Sequence, residues 1–280
     1  MRIVIGLDQH RAQITYDLVD TETGEVRGGR ICPADRESVR AFLGRFAGQR
    51  VRAATEATTG WRFLVEELEA AGAEVHLAEP AETSERRGRK KRAKTDRADA
   101  RHLRELLLIG QVPESWIPPA HILELRSKVR LRHTLGEQRS EWQQRIQAQL
   151  YHHGVPRRRQ LLTGDNRAWL DELDLPDAAR LQVQVALRMV DQLRSEIEPI
   201  ERDLRAYARR QPGCRALMSH YGIGELTAVT ILAELGDVRR FGSSRRAVRY
   251  AGLDITISQK RDRSAEPAAP QSDQDQRQLP

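Results

Sequence analysis

The first third of the chain alternates between short apolar runs and apolar positions at helical spacing. Residues 3–7 form an unbroken apolar run, Ile-Val-Ile-Gly-Leu, which predicts a strand covered on both faces. Residues 13–19 alternate weakly, and 25–32 form a third extended stretch. The Thr23-Gly24 turn signal lies between these two, as a hairpin requires. In 36–46, Val39, Phe42, Leu43 and Phe46 share one helical face. Residues 51–55 predict a strand, 61–71 an amphipathic helix ended by Gly72, 74–78 a fifth strand and 95–109 a further helix. The order β-β-β-α-β-α-β predicts a mixed sheet with flanking helices, an antiparallel meander leading into right-handed βαβ crossovers.

From 121 to 210 no strand-like run occurs. Leu123, Val129, Leu131, Leu135, Trp142, Ile146 and Leu150 recur at roughly helical spacing. A second series runs through Leu181, Val185, Leu187, Val190, Leu193, Ile197, Ile200 and Leu204. Long antiparallel helices or a coiled coil are expected. A compact third segment begins at Pro212, and the tail after Ile257 is too poor in apolar residues to build a core.

Composition narrows the partner. The net charge is +7 and the pI about 9.8. Seven of the nine residues from 86 to 94 are basic (Arg86, Arg87, Arg89, Lys90, Lys91, Arg92 and Lys94), which equals the whole net excess. A cationic block in an otherwise balanced chain points to a polyanion. Cys32 and Cys214 lie far apart with no CxxC spacing, so neither a disulfide framework nor a zinc site is expected. The N-terminal apolar run is too short for a signal peptide, and no stretch approaches the ~20 apolar residues of a membrane span. The expectation is a cytoplasmic, nucleoid-associated protein with no membrane partner.

Four carboxylates stand at positions where this sheet order brings them together. Asp8 ends the first strand in GLDQH, and Glu56 ends the fourth in ATEATTG. Asp96 and Asp99 open the helix in KTDRADA, on one face at i, i+3 spacing. Converging carboxylates repel and raise each other's pKa, which divalent cations with oxygen ligands relieve. A pair of Mg²⁺ or Mn²⁺ ions about 4 Å apart can activate a nucleophile and stabilise a leaving oxygen on phosphorus. Each acid also has an ordinary alternative: a turn residue at Asp8, a surface group at Glu56, helix-dipole partners at Asp96 and Asp99 behind an N-cap at Thr95.

GLDQH, TEATTGW and KTDRADA together resemble the Asp-Glu-Asp-Asp transposases of bacterial insertion sequences. The resemblance implies a RuvC-like, RNase H-like catalytic domain over 1–112, a helical linker over 113–211, a partial, mostly α-helical transposase domain over 212–258 and a disordered tail over 259–280. It implies that Asp8, Glu56, Asp96 and Asp99 bind Mg²⁺ or Mn²⁺ and serve catalysis. It also implies metal-dependent strand cleavage and exchange on DNA, directed by a structured guide RNA, in a homodimer or tetramer. The family continues with a nucleophilic serine; here its place falls near Lys260, with Ser258 two residues early and Ser264 late. A truncated copy is the expectation at this end, with an inactive nucleic-acid-binding remnant or a junction nuclease as alternatives. Tyr221-Gly222-Ile223-Gly224 resembles a helix-hairpin-helix turn, in which Gly222 and Gly224 would bring backbone amides to a phosphate.

Overall fold

The computed structural model describes residues 3–86 and 95–253, which divide into two compact units, Met1–Pro118 and Pro119–Pro280. The first unit contains β1 (Ile3–Gln9), β2 (Ile14–Asp20), β3 (Val26–Ile31), α1 (Arg36–Gly44), β4 (Val51–Glu56), α2 (Trp61–Ala70), β5 (Glu74–Ala78), α3 (Pro80–Arg86) and α4 (Asp96–Leu108). The strands form one sheet in the order β3-β2-β1-β4-β5. β1 pairs antiparallel with β2 and parallel with β4; β2–β3 is antiparallel and β4–β5 parallel. A hairpin meander joined to two parallel crossovers in this order is the RNase H-like arrangement that the sequence pattern predicts.

β1 is buried on both faces because helices cover both. On one face Ile3, Ile5 and Leu7 pack with Val39, Phe42 and Leu43 of α1 and Leu64 and Leu68 of α2. On the other, Val4 of β1, Val19 of β2 and Ala54 of β4 pack against Leu103 and Leu107 of α4. Successive strand side chains alternate faces, so Val4, Gly6 and Asp8 point toward α4, as do Ala54 and Glu56. Caps set the helix starts: the Asp35 carboxylate accepts from the Ser38 amide of α1 at 2.8 Å, and Thr95 Oγ1 accepts from the Ala98 amide of α4 at 3.2 Å.

α3 has no counterpart in the apolar pattern, because PAETSER presents no hydrophobic stripe. Its start is fixed locally instead. Glu79 accepts from the Glu82 amide at 2.7 Å, and the buried Thr83 hydroxyl donates to the Glu79 carbonyl at 2.6 Å.

The second unit is built on two long helices, α5 (Ala120–His152) and α7 (Asp177–Arg210), with α6 (Asp165–Glu172) between them in sequence. α8 (Pro212–Met218), α9 (Glu225–Leu235) and α10 (Ser244–Tyr250) follow. Ile146 and Leu150 of α5 meet Val183, Leu187 and Val190 of α7 in one core. Leu125 and Val129 of α5 meet Leu204 and Ala208 of α7, Cys214 of α8 and Ala228 and Val229 of α9 in another. Both cysteines are free. Among the described residues no helix is long and apolar enough to cross a membrane.

Candidate metal and nucleic-acid site

Parallel pairing sets the ends of β1 and β4 side by side. Leu7 pairs with Thr55, so Asp8 and Glu56 stand one residue further along adjacent strands, on the α4 face. The first turn of α4 supplies Asp96 and Asp99. All four acids line one open cavity of about 880 Å³, together with His10, Arg11 and the turn after β4 at Thr58, Thr59 and Gly60.

Within that cavity the tightest set is Asp8, His10 and Asp96. One potential ligand atom from each lies within 4.8 Å of the other two. His10 Nε2 is 3.0 Å from Asp8 Oδ2 and 3.5 Å from Asp96 Oδ1. In the Nε2–H tautomer this nitrogen would donate to Asp8 with Asp96 at its side. Glu56 and Asp99 share the cavity but are not members of this three-residue set. His10 was not among the sequence candidates. Its signal was the Asp8-x-His10 spacing, which puts both side chains on one face of an extended segment.

The electrostatics are those of a carboxylate held against its preference. Asp8 is 8% exposed. Burial lifts its carboxyl above the ordinary value, hydrogen bonding and charge from His10 pull it back, and the nearby Asp99 and Asp96 push it up again. Asp99 is itself buried. Hard oxygen donors from three elements, with an imidazole beside them, fit a divalent cation, whose charge would favour the ionised form of each carboxylate.

The close approach of α4 depends on one glycine. A Cβ on Gly6 would lie 1.9 Å from the Ala100 carbonyl oxygen and 2.6 Å from the Arg104 amide nitrogen. No other residue lets α4 sit this near β1. Beside that contact, Asp17 of β2 and Arg104 of α4 form a buried ion pair, Nε to Oδ1 at 2.8 Å, whose alignment leaves both Asp17 oxygens without a hydrogen bond.

A smaller hollow of about 460 Å³ adjoins on the far side of Asp96, lined by Thr15, Thr95, Arg30 and Arg97. These two arginines were also absent from the sequence candidates; nothing in their local pattern separates them from other exposed arginines. Of the basic block, Arg86 closes α3 and donates from Nη1 to the Gln111 carbonyl at 2.8 Å. Arg87, Arg89, Lys90, Lys91, Arg92 and Lys94 lie outside the described residues, as do Ser258, Lys260 and Ser264. Gly222 (φ 83°) and Gly224 lie in the α8–α9 connection, Gly224 capping α9, in the second unit rather than with the acids.

Comparison with known proteins gives three findings. A protein of Sinorhizobium fredii (strain NBRC 101917 / NGR234) described as a transposase, y4qE, is 32% identical over 165 residues, which is 58% of this chain and 40% of the relative. The chain thus spans less than half the length of that relative. T. thermophilus RuvC, solved in complex with a Holliday junction substrate, aligns at 12% identity and a TM-score of 0.29, covering 41% of this chain and 100% of that one. Residues 214–260 match the family described as Transposase IS116/IS110/IS902. Residues 5–154, more than half of the sequence and including all four acids, match the DEDD transposase family of IS110, and the chain belongs to that family.

Proposed function

We propose that this protein is a DNA transposase whose first unit cleaves DNA strands at a divalent-metal site held by Asp8, Glu56, Asp96 and Asp99. The observation that carries the reading is the convergence of these four acids, from β1, β4 and α4, on one open cavity. Mg²⁺ is the ion such oxygen donors suit, with Mn²⁺ as its working substitute. Bound there, a divalent ion supplies a Lewis acid for the scissile phosphate and lowers the pKa of an attacking water or hydroxyl. The chain's own groups do the rest. Asp8 and Glu56, on adjacent strand ends, form the rigid floor. Asp96 and Asp99 close the site from the helix. His10 holds Asp8 through its Nε2–H, with Asp96 at its side. Arg30 and Arg97, beside Asp96, give the substrate backbone a cationic shoulder on which its phosphates can lie.

DNA is the substrate, with a structured guide RNA that reads sequence by base pairing, as the family resemblance implies. The working form is a homo-oligomer acting on nucleoid DNA in the cytoplasm. The test is a cleavage and strand-exchange assay on DNA carrying the element ends, with and without the element's RNA, in Mg²⁺, Mn²⁺ and EDTA. Cleavage in either metal, abolished by EDTA and by Asp8→Asn, is expected. Metal-independent cleavage, or undiminished cleavage by Asp8→Asn, refutes the site; DNA binding without any cleavage refutes the activity.

A further inference from the structure

In the second unit, one concentration of arginines has no acidic partner among the described side chains. Toward the C-terminal half of α7, arginines have carboxylate partners: Arg130 with Glu234 at 2.8 Å, Arg132 with Glu201 at 2.5 Å and Arg209 with Glu225 at 2.6 Å. At the other end of the long helices the pattern reverses. The connection from α5 to α6 contains Arg157-Arg158-Arg159, and Arg194 of α7 faces it across an open hollow of about 600 Å³. Among the described side chains, that hollow is lined by these four arginines with glutamine, leucine and threonine, and by no acidic residue. Among the described side chains no carboxylate forms an ion pair with Arg157, Arg159 or Arg194, all of them exposed.

The arrangement is built rather than loose. Leu161, 8% exposed, plugs the connection into the core formed by Ile146, Leu150 and Leu187. Asn166 Nδ2 donates to the Arg159 carbonyl at 3.1 Å, and Gln160 is held in the left-handed region at φ 52°. The Arg158 guanidinium stacks over Trp169 at 3.8 Å and accepts positioning from Asn166, donating to Oδ1 at 3.2 Å. A second hollow of about 440 Å³ shares Arg157 and Arg158 with the first, and Tyr151 lines it with a side chain 86% exposed.

We infer that this end of the α5–α7 pair binds a single-stranded stretch of nucleic acid, with phosphates on Arg157, Arg159 and Arg194 and an unstacked base on the Tyr151 ring. Clustered guanidinia with no described counter-charge select a polyanion whose paired oxygens, as in a phosphodiester, accept from the N–H fork. The exposed aromatic ring beside them selects among polyanions. A free base can stack on it, whereas the bases of a duplex are already stacked and neither the carboxylates of an acidic peptide nor a phosphate headgroup carries an aromatic face. The site shares no residue with the acidic cavity of the first unit, so it stands or falls separately from the proposed cleavage.

The test is fluorescence anisotropy of the full chain with labelled oligothymidine and oligouridine strands of about 16 nucleotides, and with a duplex control, in EDTA across a NaCl series. EDTA removes any contribution from divalent binding, so failure of the cleavage reading leaves this readout intact. Combined Arg157→Ala, Arg159→Ala and Arg194→Ala substitution is expected to flatten the plot of log affinity against log salt for the strands by about 2, since each phosphate contact contributes roughly 0.7. Tyr151→Ala is expected to weaken strand binding about five-fold or more while Tyr151→Phe binds as wild type. The deoxy and ribo arms decide which strand is preferred. An unchanged salt slope, wild-type binding by Tyr151→Ala, or an equal loss on the duplex overturns the proposal.

Discussion

Gly6→Ala is the most direct probe of how the fold builds the acidic site. The added Cβ would sit 1.9 Å from the Ala100 oxygen, and only at about 3.0 Å does such a contact become tolerable, so β1 and α4 must part by about 1.1 Å. The contact is backbone on both sides, so no side chain can rotate away. Asp99 directly precedes Ala100 in α4 and Asp96 lies one turn earlier, so both move with the helix away from Asp8. Metal ligation tolerates displacements of about 0.2 Å, several times less than the shift imposed. The overpacking itself costs about 1–3 kcal/mol, or several degrees of Tm in a unit of this size. Two assays separate stability from site geometry: thermal melting in EDTA, and Mn²⁺ titration by calorimetry well below the melting point. The expected result is a folded protein whose Mn²⁺ affinity has fallen at least ten-fold. Wild-type Mn²⁺ binding by folded Gly6→Ala would show that the spacing of α4 from β1 does not set the site.

Four further outcomes follow from the structure. Asp8→Asn is expected to raise Tm in EDTA at neutral pH: the folded pKa of Asp8 is raised, so its stabilising form is the protonated one, lost as pH climbs through that value, and a neutral amide removes the penalty. The same variant should lose the Tm increase that saturating Mn²⁺ gives the wild type, about 2.7 kcal/mol at a hundred times Kd. Arg104→Met alone should cost about 3–5 kcal/mol by stranding the buried Asp17 carboxylate, and adding Asp17→Leu should recover most of it in a urea double-mutant cycle. Gly136→Ala, in the interior of α5 with nothing within 4 Å of the added Cβ, should stabilise the second unit by about 0.5–1 kcal/mol in the same denaturation.

The strand order was legible because each sheet element has a period of its own: the continuous run of β1, the hairpin signal after β2, and helix-spaced apolar residues in α1 and α2. In the long helices the phase was legible over most of the length, since Val129, Ile146 and Leu150 of α5 and Leu187, Val190, Leu193, Ile197 and Leu204 of α7 are buried, but it failed at particular leucines. Leu131 and Leu181 belong to the apolar series yet are 51% and 59% exposed. At the start of α7 the buried stripe runs through Ala179, Val183 and Ala186 rather than Leu181, and from Leu187 onward it follows the predicted series. Alanine in a close helix contact carries little hydrophobic signal of its own, so a stripe that alternates Ala with larger residues is displaced toward whichever leucines stand near it. Nor could α3 be seen, since its start is fixed by Glu79 and Thr83 rather than by an apolar face.

The site was legible to the extent that it is written in strand ends. Asp8 and Glu56 are at the ends of predicted neighbours, and Asp96 and Asp99 at a capped helix start, so topology alone brings them to one cavity. What topology could not give is the hierarchy inside it. His10 enters the closest set because β1 continues extended past Asp8, and Glu56 lies outside that set although it shares the cavity. Gly6 explains why the acids meet at all. The tight seating of α4 needs a strand position with no side chain, and the same strand, two residues on, presents Asp8 to the helix that Gly6 admits. One short run, Gly-Leu-Asp-Gln-His, therefore sets both the distance of the helix and two of the groups that face it, which is why a change of one methyl at Gly6 should reach the proposed metal site more strongly than a change at either exposed arginine beside it.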